Sequence, residues 1–450
     1  MDARRRYLVA VSVALLLTAC AVGPDYELPT TQAVPAYKRE TPVPTTTDAD
    51  WTPASPGRPD TLQWWQVFKD PILDGMMVEL GKNNQNIQVS LANLRQALAR
   101  VQEARASFFP VVGATGSVSR GRSVSGAAVG KTYSAAMQAN WELDIWGGIR
   151  RSVESSAAEA ESRAADLGAV LLSMRCELAL NYFQVRMLDT LLGLYDQTIT
   201  AYSHSLRITE NQYKAGTVTR ADVAQATAQL RAVEAAKADI RLRRNQTEHA
   251  MATLLGVPPI HFELAPKSLQ QAHLPVISAG LPATLLERRP DIASAERQVA
   301  AANAAIGVAK SAHFPVFSFI ASGGYTSPSF SRWLTSPHEI WSLGPSLFLS
   351  LFEGGAILAR TDQAIAAWES TVAAYRQTVL QAFAEVEDAL TASTLLKEEE
   401  RLQEEAWHAA QEAEHIVKNQ YTAGTVDYLA VVVAQASALE NARTVIQLKG

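Results

Sequence analysis

The chain has 450 residues, a formal net charge of −5, and 19% charged against 7% aromatic residues. That length accommodates two or three ordinary domains. The weakly acidic balance and the lack of a basic arm exclude the electrostatic pattern of a nucleic-acid-binding protein.

The first twenty residues have the organisation of a bacterial lipoprotein signal. A run of arginines at 4–6 precedes an apolar stretch from Tyr7 to Leu17, which is too short to span a bilayer. The stretch ends in LTAC, and the small residues before Cys20 match a lipobox. We predict that residues 1–19 are removed and that lipid on Cys20 anchors the chain in the outer membrane, since no Asp follows this cysteine. An ordinary signal peptide followed by a chance cysteine is the alternative.

Residues 20–70 are predicted to form a lipid-anchored extended segment, because a Pro- and Thr-rich stretch follows the signal. The rest of the chain reads as two copies of one unit, at 71–280 and 281–450. NQYKAGTV at 211–218 returns as NQYTAGTV at 419–426, and EARASFFP at 103–110 returns as VAKSAHFP at 308–315. Repetition at this distance indicates a structural unit that is used twice.

Each copy contains a predicted pair of strands, at about 111–127 and 131–146 in the first copy and about 316–327 and 340–352 in the second. Apolar residues from Tyr133 to Ile145 alternate with polar residues such as Gln138 and Asn140. This alternation, with aromatic residues near its ends, matches a membrane β-barrel strand that turns one face to lipid. A soluble antiparallel sheet with one buried face is the alternative, and the lipoprotein signal favours the membrane.

Very long helices are predicted after the strands. The segments 151–215 and 356–423 contain no proline, and each is long enough for a helix of about 100 Å. Their Ala-rich spacing indicates close helix packing of the coiled-coil kind. Helices of this length do not fit into a compact globular domain. They fit a protein that extends across the space between two membranes.

A carboxylate follows each repeated turn. Thr219-x-x-Asp222 is a capping box, which predicts a helix start, and the same carboxylate would line the mouth of a channel if the turn lies there. In the second copy Asp427 comes earlier, and Ala430 occupies the position equivalent to Asp222. The two copies are therefore not interchangeable at this end.

Motifs for catalysis are absent from the sequence. We find no Walker loop, GxGxxG, GxSxG or HExxH, and Cys176 has no cysteine partner once Cys20 carries lipid. Two ExxH spacings, at 405–408 and 412–415, lie on one predicted helix, whereas di-iron sites need such motifs on facing helices. We interpret these residues as a solvated face and predict no enzyme activity, no metal and no cofactor.

Several motifs together resemble the TolC-like outer-membrane factor superfamily, in its nodulation-type (NodT) lipoprotein branch. They are the lipobox, VGPDY at 22–26, GLPATLLERRPDIASAERQV at 280–299, the FP corners and the doubled NQY-x-AGTV. The resemblance covers essentially everything after Cys20. It implies a mainly α fold with a membrane β-barrel part, built as a homotrimer. Four strands per protomer would complete a twelve-stranded barrel that continues into a long periplasmic α-helical barrel.

The resemblance also implies roles for the repeated turns. A periplasmic adaptor, fed by an inner-membrane pump, would contact the turn residues Ala215, Gly216, Thr217, Ala423, Gly424 and Thr425. Asp222 matches a carboxylate at the periplasmic aperture, and Tyr421 matches an aperture tyrosine. The arginine that some members place beyond this tyrosine is replaced by Val426, so Asp427 or Arg220 would have to substitute for it in another geometry.

The sequence thus predicts a passive exit duct in the outer membrane for drugs or other small molecules. The same architecture in protein secretion is an alternative, and a periplasmic coiled-coil scaffold lipoprotein is a more distant one. Four predicted strands cannot close a barrel alone, which independently requires an oligomer. The last helix is expected to be about fourteen residues shorter than its counterpart in the first copy. Either the sequence is truncated or this terminus is unusual.

Overall fold

The computed structural model describes residues 21–30, 63–122, 129–269 and 288–450. The predicted signal peptide, Cys20 and most of the predicted extended segment lie outside the described residues. The chain divides into two compact units. The first contains the described parts of 1–32, 90–167 and 290–380, and the second those of 33–89, 168–289 and 381–450. Each compact unit therefore contains residues of both sequence copies.

The two copies share the order of their strands and long helices, and the first copy begins with one more helix than the described part of the second. The first contains helices α1 (Pro71–Asn83) and α2 (Gln85–Ala106), strands β1 (Val111–Gly121) and β2 (Gly130–Leu143), and helices α3 (Gly148–Lys214) and α4 (Arg220–Leu254). The second contains α5 (Pro290–Ser311), β3 (Val316–Ser327), β4 (Glu339–Phe348), α6 (Ala356–Thr422) and α7 (Tyr428–Lys449). The counterparts α2 and α5 have 22 residues each, and α3 and α6 have 67 each.

Both long helices predicted from the sequence are present as α3 and α6. At 1.5 Å per residue, a helix of 67 residues is about 100 Å long. The carboxylate of Asp144 marks the start of α3, because it accepts hydrogen bonds from the N–H groups of Ile149 at 2.9 Å and Arg150 at 3.0 Å. Among the described helices, none combines the length and the apolar character that crossing a bilayer requires.

The core of the second unit holds α3 against α4. Its buried residues include Leu188, Leu191 and Tyr202 from α3 and Leu230 and Val233 from α4. They recur at intervals of three, four or seven along each helix, which is the spacing that places side chains on one helical face. Partly buried residues of α7 pack against the same cluster. The Ala-rich composition predicted close packing, and larger apolar side chains form the centre of this contact.

The four strands form one antiparallel sheet in the order β1-β2-β3-β4, so the central β2–β3 pair joins the two sequence copies. Paired residues of an antiparallel sheet lie on the same face. The register therefore collects apolar side chains from all four strands on one surface, here called the apolar face. Its members include Val112, Ala114, Val118, Tyr133, Met137, Trp141, Phe317, Phe319, Trp341, Leu343 and Leu347. Most of these are exposed, and the alternation predicted from the sequence is present in the structure.

Two strands are shorter than the sequence suggested. β2 ends at Leu143 instead of 146, because Asp144 already caps the following helix. β4 ends at Phe348 instead of 352, because its partner β3 begins at Val316, directly after a proline, and offers no further pairing. The predicted end of β1 at 127 falls among residues 123–128, outside the described residues.

Candidate functional site

The two repeated turns close their helices with the same geometry. Gly216 has φ +75° and Gly424 has φ +76°, in the left-handed region that favours glycine. In the first copy, the N–H and the hydroxyl of Thr217 both donate to the carbonyl oxygen of Gln212, each at 3.0 Å. The second copy repeats both bonds at 3.0 Å. The repeated AGT is therefore a helix C-cap of the Schellman type, used once in each copy.

The turns present small, exposed side chains. All six turn residues that the sequence singled out are exposed: Ala215, Gly216, Thr217, Ala423, Gly424 and Thr425. Their backbone N–H groups donate within the turn itself. The cap therefore leaves the methyl groups of the two alanines and the threonines as the groups that a partner could contact.

The helices that leave the turns begin differently in the two copies. Thr219 donates from its N–H at 2.7 Å and from its hydroxyl at 2.8 Å to Oδ2 of Asp222, and the Asp222 N–H donates back to the threonine hydroxyl at 3.4 Å. This confirms the capping box predicted from the sequence. Asp427 instead caps α7 directly, by accepting from the N–H of Ala430 at 3.1 Å.

The two copies meet beside the turns through Tyr421. Its hydroxyl donates to Oε1 of Gln212, from the first copy, at 2.7 Å. Its ring packs edge-on against Tyr428, with 5.3 Å between the ring centroids. Tyr428 is buried in a small cluster with Ala226 and Val431. Tyr421 thus joins the end of α6 to the end of α3 and the start of α7.

Asp222 lies close enough to these tyrosines to act on them electrostatically. Burial raises the pKa of Tyr421, and the negative charge of Asp222 acts in the same direction. Burial also raises the pKa of Tyr428 to about 12, again with a contribution from Asp222. Both phenols therefore stay protonated at neutral pH, and the hydroxyl of Tyr421 donates to Gln212.

The predicted substitutes for the missing arginine form no ion pair with the described residues of the same chain. Arg220 is exposed, and its guanidinium makes no ion pair or hydrogen bond within the described residues. Asp427 is also exposed, and its carboxylate serves as a helix cap. Within one chain, the contact beside the turns is the hydrogen bond from Tyr421 to Gln212, which the sequence did not reveal.

Residues of the ExxH spacings on α6 have other contacts. Among the described residues there is no group of three or more His, Cys, Asp or Glu side chains that could hold a metal ion. Glu405 pairs with Arg401 at 2.6 Å, and His408 stacks on the ring of Trp407. Cys176 is half-buried, and burial raises the pKa of its thiol.

A second set of contacts involves the VGPDY motif at 22–26, for which no structural role was predicted. The N–H of Val22 donates to the carbonyl of Trp146 at 3.0 Å, and the amide of Asn303 donates to the carbonyl of Pro24 at 3.0 Å. Asp25 pairs with the buried Arg151 at 2.9 Å, and the Tyr26 hydroxyl donates to Glu296. We call residues 22–26 with these partners the N-terminal clasp.

An exposed apolar sheet face, helices of about 100 Å and paired, capped turns are the features of a channel protein of the outer membrane. Residues 77–257 and 281–450 match the outer membrane efflux protein family, and the chain belongs to this family. The resemblance to outer-membrane factor efflux channels is thereby confirmed. The protein is an efflux duct of the outer membrane.

Individual relatives agree with this assignment over nearly the whole chain. The pyoverdine export outer membrane protein OpmQ of Pseudomonas aeruginosa is 29% identical over 98% of this chain and 93% of its own length. Nodulation protein T of Rhizobium leguminosarum bv. viciae is 30% identical over 95% of this chain and 87% of its own length. The open state of the MtrE outer membrane channel of Neisseria gonorrhoeae superimposes with a TM-score of 0.82 and is 26% identical in sequence. The match covers 96% of this chain and 95% of the MtrE chain. The predicted fold class, of trimeric channel proteins built from two tandem repeats, is confirmed.

Proposed function

We propose that three copies of this chain form the passive exit duct of a tripartite efflux system that exports drugs or other small molecules. A periplasmic adaptor and an inner-membrane pump complete the system, and the pump supplies the energy. The duct itself performs no catalysis and needs no cofactor. The observation that carries the proposal is the four-stranded sheet, whose apolar face is exposed and whose edge strands β1 and β4 have no outer partner among the described residues.

The sheet requires further copies of the chain. Within a bilayer every backbone N–H and C=O must find a partner, so an open sheet edge is not tolerated there. Three sheets, each of four strands, close a barrel of twelve strands that has no edge. The apolar face then contacts lipid, and residues such as Gln138 and Ser322 on the opposite face line the lumen.

The repeated turns are the proposed contact for the adaptor. Their side chains are small and exposed, and their backbone donors are already used within the caps. A partner therefore meets a rigid, weakly polar surface that needs little ordering on binding. The two turns of each chain offer closely similar versions of this surface.

The aperture is proposed to lie beside these turns. Three copies of Asp222 would form a ring of negative charge, and rings of this kind favour cations. Tyr421 would hold the closed state through its bond to Gln212. Arg220 and Asp427, which make no ion pair with any described residue of the same chain, would be free to contact neighbouring copies.

Lipid on Cys20 is the proposed anchor. The N-terminal clasp begins two residues after this cysteine and fixes the chain at Trp146, three residues beyond the end of β2. Replacing Cys20 by serine should block lipid addition and processing while the strands still insert. Mass spectrometry of the mature protein tests this directly, and a mature N-terminus other than residue 20 would refute the anchor.

Planar bilayers test the duct. The purified trimer should give discrete single-channel conductance, and cells that lack the protein should accumulate a dye exported by the pump. A periplasmic scaffold would give no conductance at all. A protein-secretion duct would conduct, but its loss would leave dye efflux unchanged and would stop the export of a polypeptide. Copurification of the adaptor and the pump would identify the system.

A further inference from the structure

Two cations face each other near the end of the sheet. Arg120 of β1 and Lys131 of β2 are direct partners in the register, and both side chains are exposed. Within the part of the chain that the structure describes, neither side chain forms an ion pair or a hydrogen bond. Like charges placed directly opposite each other destabilise a sheet. The arrangement therefore favours an anion that lies between the two side chains.

These cations belong to the apolar face. The preceding pairs on the same face are Val112 with Ala139, Ala114 with Met137, Gly116 with Ala135 and Val118 with Tyr133. The next pair is Arg120 with Lys131, about 7 Å further along the strands. A surface suited to acyl chains thus passes directly into a surface suited to an anionic headgroup, on the same side of the sheet.

An aromatic group adjoins the pair. Tyr133 packs against Phe330 and Trp333 of the β3–β4 connection, with centroid distances of 5.5 Å and 6.0 Å. Phe330 is 69% exposed although it lies beside other aromatic rings.

The one carboxylate of the described strands on this face, Glu339, is level with Ala135, roughly 13 Å along the strands from Lys131. It is therefore too distant to neutralise the pair.

The position of Arg120 and Lys131 along the strands indicates which leaflet of the outer membrane they contact. The opposite end of β2 leads to Trp146 and the N-terminal clasp, and hence to the proposed lipid on Cys20. The 14 residues of β2 span roughly 45 Å, or about 32 Å across the membrane at a tilt of 45°. This matches a hydrocarbon core of about 30 Å. If the anchor lies in the periplasmic leaflet, Arg120 and Lys131 lie at the outer leaflet.

We propose that Arg120 and Lys131 bind the phosphate groups of a phosphorylated glycolipid of the outer leaflet, whose acyl chains lie along the apolar face. This inference rests on the proposed membrane placement. The guanidinium of Arg120 matches phosphate geometry with two parallel hydrogen bonds, and the ammonium of Lys131 adds a second charge. Val118 and Tyr133 contact the first part of the acyl chains. Arg122, directly beyond β1, adds positive charge at the same end.

The test is a titration of the purified full-length trimer in detergent. Hexa-acylated, bis-phosphorylated lipid A is the probe, and bound lipid is counted by native mass spectrometry. The variant Arg120→Gln with Lys131→Gln should bind this lipid about tenfold more weakly than the parent, or weaker still. The control Arg95→Gln with Arg105→Gln removes two exposed cations from α2 and should bind like the parent. The parent should prefer lipid A to its dephosphorylated form, and the double variant should lose this preference.

Three results would overturn the proposal. Equal lipid A binding by parent and double variant would show that the pair is not the site. Equal binding of phosphatidylglycerol and lipid A by the parent would show a general preference for anionic lipid. Dissociation of the double variant in detergent free of lipid would show that the pair holds copies of the chain together. Failure of the proposed function has a separate readout, since the parent itself would then be neither trimeric nor conducting.

Discussion

The hydroxyl of Tyr421 donates to Oε1 of Gln212 across 2.7 Å, and this bond joins the repeated turn segment of one sequence copy to that of the other. Its counterpart in the first copy, Tyr213, is 41% exposed and makes no such bond within the described residues. The two copies of the motif therefore differ: among the described residues, the tyrosine of the second copy makes a hydrogen bond through its hydroxyl and that of the first copy does not. This asymmetry supplies a variant and its matched control.

We expect Tyr421→Phe to weaken the closed aperture and Tyr213→Phe to leave it unchanged. Loss of one partly buried hydrogen bond costs about 0.5–1.5 kcal/mol, which corresponds to an increase of the open fraction by roughly two- to tenfold. Single-channel recordings without adaptor measure this fraction. Equal open fractions in both variants would place the gate elsewhere.

Asp222 is predicted to act on the gate in addition to capping its helix. Asp222→Ala with Tyr421→Phe should raise the open time further and weaken cation selectivity, because the ring of carboxylates is lost. Asp222→Asn with Tyr421→Phe is the comparison, because asparagine retains a capping oxygen, whose loss would cost about 0.5–2 kcal/mol, and removes only the charge. If the double variant conducts like the parent at matched salt, Asp222 is a helix cap and nothing more.

An arginine introduced on the apolar face should destabilise the inserted trimer strongly in the middle of β2 and weakly at the end of the strand. Met137 lies midway along the strand, so Met137→Arg should destabilise the inserted trimer by about 2–4 kcal/mol. Leu143 is the last residue of β2, and Leu143→Arg should cost about 0–1 kcal/mol. Gln138→Arg, on the opposite face, should be tolerated. Thermal dissociation of the trimer in lipid measures all three variants, and equal sensitivity of Met137 and Gln138 would contradict the assignment of faces.

The contacts of the N-terminal clasp should be broken if a single methyl group is added to α5 at Gly307. A Cβ on Gly307 would lie 2.7 Å from Cγ of Arg151 and 2.9 Å from the carbonyl oxygen of Val22. Gly307→Ala should therefore displace residues 22–26 and make them accessible to protease, although alanine favours a helix. Gly193→Ala in α3 meets nothing within 4 Å and should be neutral or slightly stabilising. Unchanged protection of the segment in Gly307→Ala would show that the clasp does not depend on this close approach.

The helices beside the turns should loosen as pH rises through the range where Glu414 ionises. Burial raises the pKa of the Glu414 carboxyl, and the charge of Lys418 and the nearby side chain of Gln435 oppose this effect in part. The folded protein thus binds this proton more tightly than the unfolded chain, so stability falls as pH rises from the ordinary glutamate value to the raised one. In a plot of melting temperature against pH, Glu414→Gln should reduce the slope over this pH range. Glu412→Gln, at an exposed position, should leave the slope unchanged. Parallel curves for the parent and Glu414→Gln would contradict the assignment.

The sequence predicted those features that depend on local chemistry. The turn AGT, the capping box at Thr219 and the proline-free helices are encoded by neighbouring residues, and the structure contains all three. The ends of β2 and β4 were misplaced, because each depends on what the partner strand or the next helix does. The bond between Tyr421 and Gln212 spans 209 residues, and no single-sequence pattern reveals such a contact. The VGPDY motif was visible, but its partners lie as far away as Asn303.

The exposed apolar face also sets conditions on the biogenesis of the protein. Before assembly each chain carries a large water-exposed patch of valine, leucine and aromatic side chains together with two open sheet edges, a combination that promotes aggregation. We therefore expect the strands to need shielding from water during transit through the periplasm. Closing of the barrel and entry into the bilayer must then occur as one coupled event, because neither a lone sheet in lipid nor a closed apolar barrel in water is a stable intermediate. On this physical argument, the duct becomes stable only at the moment when three chains meet at the membrane.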